Sequence, residues 1–382
     1  MQAGVYLHIP FCRSRCSYCA FQTEVYKSGE AVERYVSALT KEIENFQLQK
    51  SEIRNPKSKI SIDTVYFGGG TPSLLTPNQL EKILNTICKN FSVSTDAEIT
   101  LEINPATVTL KSLQEYKILG VNRASFGAQT FDDTELKRLG RRHSAQDVRE
   151  TIELLRKAGF ANVSFDLIAG LPRQSLKDWE KNLDEALRLA PEHLSLYLLE
   201  IHEATPLAEQ IRSGRQPLPD EELAAEMYEL MLEKVATKGF EQYEISNFCQ
   251  SGFESKHNSK YWLCEPVFAF GCSAHSFDGT KIRWANERDR VKYVEAIESK
   301  GAAVSEQNEI NAQSEFVFLG LRLTKGVCLD EYKNRFGIDL REEYAEELKL
   351  LEEAELIEFD KNRLKLTRRG FLFSNEVFSV FV

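Results

Sequence analysis

Cys12, Cys16 and Cys19 stand at spacings of four and three in "HIPFCRSRCSYCAFQTE" (residues 8–24), and the run then stops with Phe21 two positions beyond the last thiol. The chain has eight cysteines in 382 residues, too few for a disulfide scaffold, so a cluster this tight points to metal binding or catalysis. Two metal readings compete. A closed zinc site would take His8 as its fourth ligand, but His8 falls in a predicted strand while the cysteines occupy the loop that follows. A 4Fe–4S cluster would use three thiolates on three irons and leave the fourth iron open to a small-molecule ligand. Cys88, Cys249, Cys264, Cys272 and Cys328 are scattered and read as small buried side chains or free thiols.

A second feature sits near the first. "YFGGGTPS" (66–73) follows the second predicted strand. A glycine triplet at a strand end lets backbone N–H groups approach a ligand, because no Cβ intervenes. Alone it is weak evidence; next to a three-cysteine loop after the first strand it favours the cluster.

The elements that must position these residues are legible from pattern. Strand-like runs occur at "VYLHI" (5–9), "DTVYFG" (63–68), "EITLEI" (98–103), "RASFG" (123–127), "VSFDLIA" (163–169) and "HLSLYLLE" (193–200). Helices fall between them. "TPNQLEKILNTICKNF" has Thr76 as N-cap, Pro77 at the first helical position and Gln79 completing a capping box, with Leu80, Ile83, Leu84, Ile87 and Phe91 on one face. Further helices start at Ser144, with Val148, Ile152 and Leu155 inward, and at Asp220, and they stop at Gly159 and Gly239. Successive strand–helix units imply a parallel sheet with helical crossovers. Six units leave an open partial barrel or a doubly wound sheet, and the gathering of notable residues at strand C-termini favours the barrel.

After residue 240 the rhythm fades into an aromatic, Gly- and Ser-rich stretch with no clear period. From about 311 three helical patterns precede "LIEFDKNRLKLT", a predicted hairpin around 360–362. The division expected is 1–240 for the partial barrel, 241–310 for a connecting segment, and 311–382 for a small, mostly helical, winged-helix-like domain. DNA reading by that domain is disfavoured, because residues 341–355 carry seven Glu against Arg341 and Lys349. The formal net charge of −10 likewise disfavours binding to phosphate backbones or anionic lipid. Neither a signal-peptide pattern at the N-terminus nor a run of about 20 apolar residues is present, so the expected location is the cytoplasm, with no transmembrane segment.

Taken together, "YLHIPFCRSRCSYCAF", "FGGGTPS", "LEINP", "SFGAQTFDDTELKRLGRRH", "FDLIAGLPRQ" and "HNSKYW" resemble the radical S-adenosylmethionine (SAM) proteins. Within them they resemble the group of oxygen-independent coproporphyrinogen oxidase and its relative, the haem chaperone HemW. The resemblance runs in order over residues 5–262, and the C-terminal helices also fit it. It implies a 4Fe–4S cluster on Cys12, Cys16 and Cys19, with SAM chelating the open iron through its amine and carboxylate. An electron from the reduced cluster would then cleave the S–C5′ bond to a 5′-deoxyadenosyl radical, while the protein supplies orientation and exclusion of water. Carried over by motif, Tyr6 and Tyr18 would pack around the cluster and adenosyl group. Gly69, Gly70 and Thr71 would receive the amine end of SAM, and Glu102 a ribose or amino group. Gln129, Arg141 and Asp166 match positions that contact SAM in the oxidase, some at a second SAM molecule. Plainer readings exist: loop packing for Tyr18, a solvated basic face for Arg141. Asp166 resists one, since a carboxylate in a buried strand needs a partner.

The resemblance also separates an enzyme from a carrier. The oxidase motif carries a further cysteine where this chain has Phe21, and an N-terminal extension where only four residues precede Val5. "HNSKYW" matches the HNxxYW signature of the HemW group, in which His257 would be an axial ligand of haem, with Tyr261 and Trp262 suited to a porphyrin face. His257 could instead hydrogen-bond at a packed junction. His275 and Cys264 are lesser candidates, and Cys272 stands where the group would have Gly, which puts the local backbone in question. The expectation is therefore a haem chaperone that passes haem to an acceptor protein, membrane-associated acceptors included, with an electron donor for the cluster. Coproporphyrinogen oxidation, an oxidative decarboxylation, is the alternative, and an unrelated radical SAM enzyme of tetrapyrrole metabolism ranks third.

Overall fold

A computed structural model describes residues 2–26, 28–51 and 59–382. Six parallel strands lie side by side in chain order: β1 (Ala3–Ile9), β2 (Ser61–Gly69), β3 (Ser92–Ile103), β4 (Arg123–Gln129), β5 (Val163–Ala169) and β6 (His193–Leu198). Between and after them run α1 (Gly29–Ser51), α2 (Pro77–Asn90), α3 (Leu110–Ile118), α4 (Asp133–Arg138), α5 (Ala145–Lys157), α6 (Leu176–Arg188), α7 (Pro206–Arg212) and α8 (Glu221–Ala236). The partial (β/α)6 barrel expected from the sequence is thus formed. Its helices start as their sequences dictate. Thr76 and Gln79 close the capping box of α2, Ser144 and Asp147 that of α5, and Asp220 accepts from Leu223 N at α8.

The two faces of the barrel strands differ sharply. One set of alternate residues, among them Val5, Leu7, Phe67, Phe126, Phe165 and Leu194, is almost fully buried in a single core shared with the helices. The other set is polar and faces the lumen. In β4 it is Arg123, Ser125, Gly127 and Gln129, set against buried Ala124, Phe126 and Ala128.

The sheet continues where the sequence showed no period. β7 (Asn247–Cys249) pairs antiparallel with β6, and β8 (Val267–Phe270) pairs parallel with β1. β9 (His275–Phe277), β10 (Ile282–Asn286) and β11 (Val304–Glu309) then extend it antiparallel. β1 is therefore flanked by β2 and β8, and the barrel stays open. "VFAF" in β8 is buried at every residue, so it has no alternation to reveal it.

Helix α9 (Lys256–Trp262) lies across the lower part of β1–β3 as a plug. Its first N–H groups, on Lys256 and His257, both donate to the Glu98 carboxylate at 3.1 Å. Lys260 pairs with Asp63 at 2.8 Å and Glu265 at 2.7 Å and donates to the Gln2 carbonyl.

After α10 (Arg290–Lys300), the C-terminal part builds a second core, around Val317, Leu321, Tyr332, Leu340, Leu364 and Val377. Its helices are α11 (Ala312–Gly320), α12 (Leu329–Phe336), α13 (Leu340–Glu343) and α14 (Ala345–Glu353). The helix expected over 341–355 breaks into two at Tyr344 (φ −115°, ψ 34°). The hairpin forms between 357–360 and 363–366, with 327–328 as a third strand, and two short helices at 368–372 and 374–379 follow it. Cys264, a lesser haem candidate, is instead buried in this second core.

The segment 271–273 settles a doubt raised by the sequence. The glycine requirement falls on Gly271 (φ 105°), where a Cβ would lie 2.5 Å from the Tyr35 hydroxyl and 2.7 Å from the His8 carbonyl. Cys272 is fully buried beside it, and its N–H donates to Tyr35 Oη at 3.0 Å. Below this turn Glu42 is buried and accepts from Gly271 N (2.9 Å), Tyr293 Oη (2.6 Å) and Asn286 Nδ2 (2.6 Å). Burial pushes its carboxyl up to about 7, against the opposing pull of those three donors. Because the folded value lies above the ordinary one, the folded chain holds a proton that the unfolded chain has already released between about pH 4.5 and 7. Stability from this group is full below that window and falls as pH rises through it, by a total on the order of 3 kcal/mol. Glu42→Gln is expected to flatten that decline in urea unfolding series between pH 5 and 8; an unchanged slope would clear Glu42 of the effect.

Candidate functional site

The three cysteines sit where β1 gives way to a loop, and that loop is stitched to several elements. Residues 11–12 pair with 24–25 as a two-stranded flap at its base. At its centre Ser17 N donates to the Leu139 carbonyl, just past α4, and the Ser17 carbonyl accepts from Leu207 N in α7. Thr71 Oγ1 donates to Cys12 Sγ at 3.5 Å and Arg141 Nη1 to Cys16 Sγ at 3.7 Å. The other arm of Arg141 donates to Asn104 Oδ1 and the Gly127 carbonyl, each at 2.6 Å. Arg141 therefore ties the loop to the ends of β3 and β4 and is no solvated basic face. Burial raises the Cys12 thiol and pushes Cys19 up to about 11.

A cavity of about 610 Å³ opens beneath the loop. Cys12, Cys16 and Cys19 line it together with Tyr18, Gly69, Gly70, Thr71, Glu102, Gln129, Arg141 and Asp166, so all but one of the expected SAM residues meet in one space. The exception is Tyr6. It lies one layer away, stacked with Tyr66 at 6.0 Å and with His257 at 6.2 Å between ring centroids. Phe21 stands on the cavity rim and is 66% exposed.

The glycine triplet also has a packing cause. A Cβ on Gly68 would meet the Tyr6 and Tyr66 rings, on Gly69 the His8 ring, and on Gly70 the Phe11 and Ile9 carbonyls, all within 3.0 Å. The adjoining strand and its loop demand these glycines. Their N–H groups are also engaged, Gly69 N with Glu102 Oε2 at 3.2 Å and Gly70 N with the Ile9 carbonyl at 2.8 Å. A ligand amine here would be met by acceptor oxygens.

Glu102 further accepts from Tyr66 Oη at 2.8 Å, and burial, reinforced by Asp166, pushes it up to about 7. Asp166 is raised as well, chiefly by burial, against a hydrogen bond from Ser195 and the charges of Arg123 and Arg141. Gln129 takes a left-handed backbone (φ 68°) at the end of β4 and folds its amide back over Gly127, where a Cβ would lie 2.3 Å from Nε2.

His257 lies in the plug, 1% exposed, with Nδ1 at 2.9 Å from Thr64 Oγ1 and Nε2 at 3.2 Å from Tyr261 Oη. Burial, with Lys260 and Arg123 nearby, lowers its pKa to about 3. The ring is neutral and both nitrogens are occupied. Its neighbour Asn258, by contrast, lines the cavity, while His275 is exposed on β9.

Pattern reading missed Tyr66, Arg123, Ser125, Ser195 and Tyr197 on the cavity wall, and Glu200 and His202 also line it. A signal existed for the strand residues. Parallel strands covered on both faces read as continuous apolar runs, whereas "RASFGAQ" and "HLSLYL" alternate polar with apolar.

The donor set suits a cluster better than a single ion. Among the described residues, no three His, Cys, Asp or Glu side chains converge to hold one metal ion, and His8 is spent on the Gln22 carbonyl through Nε2 at 3.0 Å. In this conformation His8 is thus engaged away from the cysteines. A 4Fe–4S cluster instead takes its thiolates at separate irons, and three cysteines spread around one cavity mouth fit that demand.

Comparison with known proteins agrees with this geometry. Residues 6–186 match the Radical SAM superfamily and residues 308–373 the HemN C-terminal domain. The haem chaperone HemW of Bacillus subtilis is 38% identical over 99% of this chain and 99% of its own. That of Lactococcus lactis is 34% identical over 99% and 97%. The structure of coproporphyrinogen III oxidase (HemN) from Escherichia coli superposes with a TM-score of 0.84 over 100% of this chain and 90% of that one; at 20% identity it speaks to the fold. The chain belongs to the radical SAM superfamily and, within it, to the HemW family.

Proposed function

We propose that the protein is a haem carrier that hands haem to an acceptor protein, with a 4Fe–4S cluster on Cys12, Cys16 and Cys19 and SAM on its open iron. The observation that carries the reading is the end-to-end relation to HemW, 38% identity across 99% of both chains. Phe21, in place of a further thiol at the rim, supports it. When bound, the cluster supplies one-electron chemistry to SAM.

The chain's own residues have definable tasks in this reading. Arg141 sets a guanidinium against Cys16 and so offsets thiolate charge at the loop. Acceptor oxygens around Gly69, Gly70 and Thr71 meet the amine of SAM, and Glu102, its carboxyl pushed up by burial, meets its sugar or amine. Gln129 and Asp166 hold the remaining polar edge, Tyr18 closes the loop side, and Tyr6 acts from behind by supporting Tyr66. Residues 1–240 form the cofactor-holding core, 241–310 carry the plug, and 311–382 supply a separate helical unit for partner contact. An electron donor and a haem acceptor, membrane-associated or not, complete the set of partners. Among the described residues no helix is long and apolar enough to cross a membrane, and a cytoplasmic site of action is part of the proposal.

His257 is the axial ligand named by HNxxYW, and its bonds to Thr64 and Tyr261 weigh against it in this conformation. In a haem titration, His257→Ala is expected to weaken binding and shift the haem absorption bands if the ring swings free. Unchanged affinity and spectrum would assign His257 to the plug alone.

Coproporphyrinogen oxidation is the second reading, because the cavity beneath the cysteine loop, with Arg123, Asp166 and Ser195 on its wall, would suit a reacting substrate. Reduced, cluster-loaded protein incubated with coproporphyrinogen and SAM is expected to leave the substrate intact. Accumulation of protoporphyrinogen would overturn the carrier reading.

A further inference from the structure

Arg123 opens β4 at the lower end of the barrel and is 1% exposed, yet its side chain lines the cavity. Its Nε and Nη1 have no hydrogen-bond partner among the described residues. An arginine does not shed its charge, and a buried guanidinium without a partner is strongly unfavourable.

Glu98 supplies the largest charge facing it and Asp166 a weaker one, but neither hydrogen-bonds its Nε or Nη1. Both Glu98 oxygens hold the first N–H groups of α9. Glu102 takes Tyr66 and Gly69, and Asp166 takes Ser195.

Above it, β4 presents Ser125 and Gly127 to the same cavity. Gly127, whose carbonyl meets Arg141 near Cys16, lies four residues further on, which is roughly 13 Å along a strand. A SAM molecule held by its amino-acid end at the cysteine loop keeps its carboxylate at the far end of that span.

We propose that Arg123 is the floor of the ligand cavity and that its guanidinium fork receives a carboxylate of the cargo, a propionate of haem. A carboxylate matches one edge of the guanidinium, Nη2 with Nε or Nη2 with Nη1, in shape and charge, and supplies one of the partners the protein withholds. The proposal rests on the haem-carrier reading and deepens it by naming which end of the cargo enters first.

The test uses full-length, anaerobically prepared, cluster-loaded protein as wild type, Arg123→Gln and Arg123→Lys. Each is titrated with haem, haem dimethyl ester, SAM and decarboxylated SAM. Wild type is expected to bind haem about 10- to 100-fold more tightly than the diester. Arg123→Gln should lose that margin by weakening on haem alone, Arg123→Lys should keep part of it, and SAM should bind all three alike. If Arg123→Gln does not fold, the comparison between wild type and Arg123→Lys on haem and its diester still decides. Equal affinity of wild type and variants for haem would overturn the proposal. A loss on SAM that is absent on decarboxylated SAM would also overturn it, by assigning the carboxylate to SAM. Should wild type bind no haem, the carrier reading falls along with haem as the source, and the SAM pair alone then reports whether Arg123 receives an anion.

Discussion

The controlling constraint is the polarity of the barrel's inner face. A sheet with one apolar and one polar face can dock helices on the first only. The second must curl around something that satisfies it. Here the helices cover Val5, Phe67, Phe126 and Phe165, and the opposite face turns Arg123, Ser125, Asp166 and Ser195 toward a common space. The cysteine loop above and the plug helix below then close the two ends of a volume whose walls could not have packed against hydrocarbon.

That constraint explains why so many side chains near the site depart from their ordinary ionisation. Glu102 and Asp166 are held up by burial, and His257 is held down by it. Each is rescued by a specific donor or acceptor: Tyr66 for Glu102, Ser195 for Asp166, Thr64 and Tyr261 for His257. Arg123, by contrast, has no hydrogen-bond partner at Nε and Nη1 among the described residues.

Much of this was legible in the chain and some of it was not, for physical reasons. The six barrel strands and the capped helices carry strong local signals, and the cysteine spacing and glycine triplet marked the right end of the barrel. β8 escaped notice because four residues buried on both faces show no period. The crowding of Gly68, Gly69 and Gly70 was hidden because most of the atoms involved, on Tyr6, His8, Ile9 and Phe11, come from a distant stretch of sequence. The setting of His257 was hidden for the same reason. Its motif announced chemistry, but the partners that occupy its ring, Thr64 above all, are visible only once α9 lies against β2.

The stitching of the cysteine loop has a consequence for how the protein is made. Ser17 is fixed through Leu139 and Leu207, and β1 is flanked on one side by β8, which ends at Phe270. The ribosome therefore releases the three thiols early, but the partners that shape their loop emerge only after more than half of the chain has been synthesised. Until then the cysteines belong to an unfinished strand with an open edge, exposed to oxidants and stray metal ions. A nascent chain stalled before β8 would present its thiols without the loop that holds them in place.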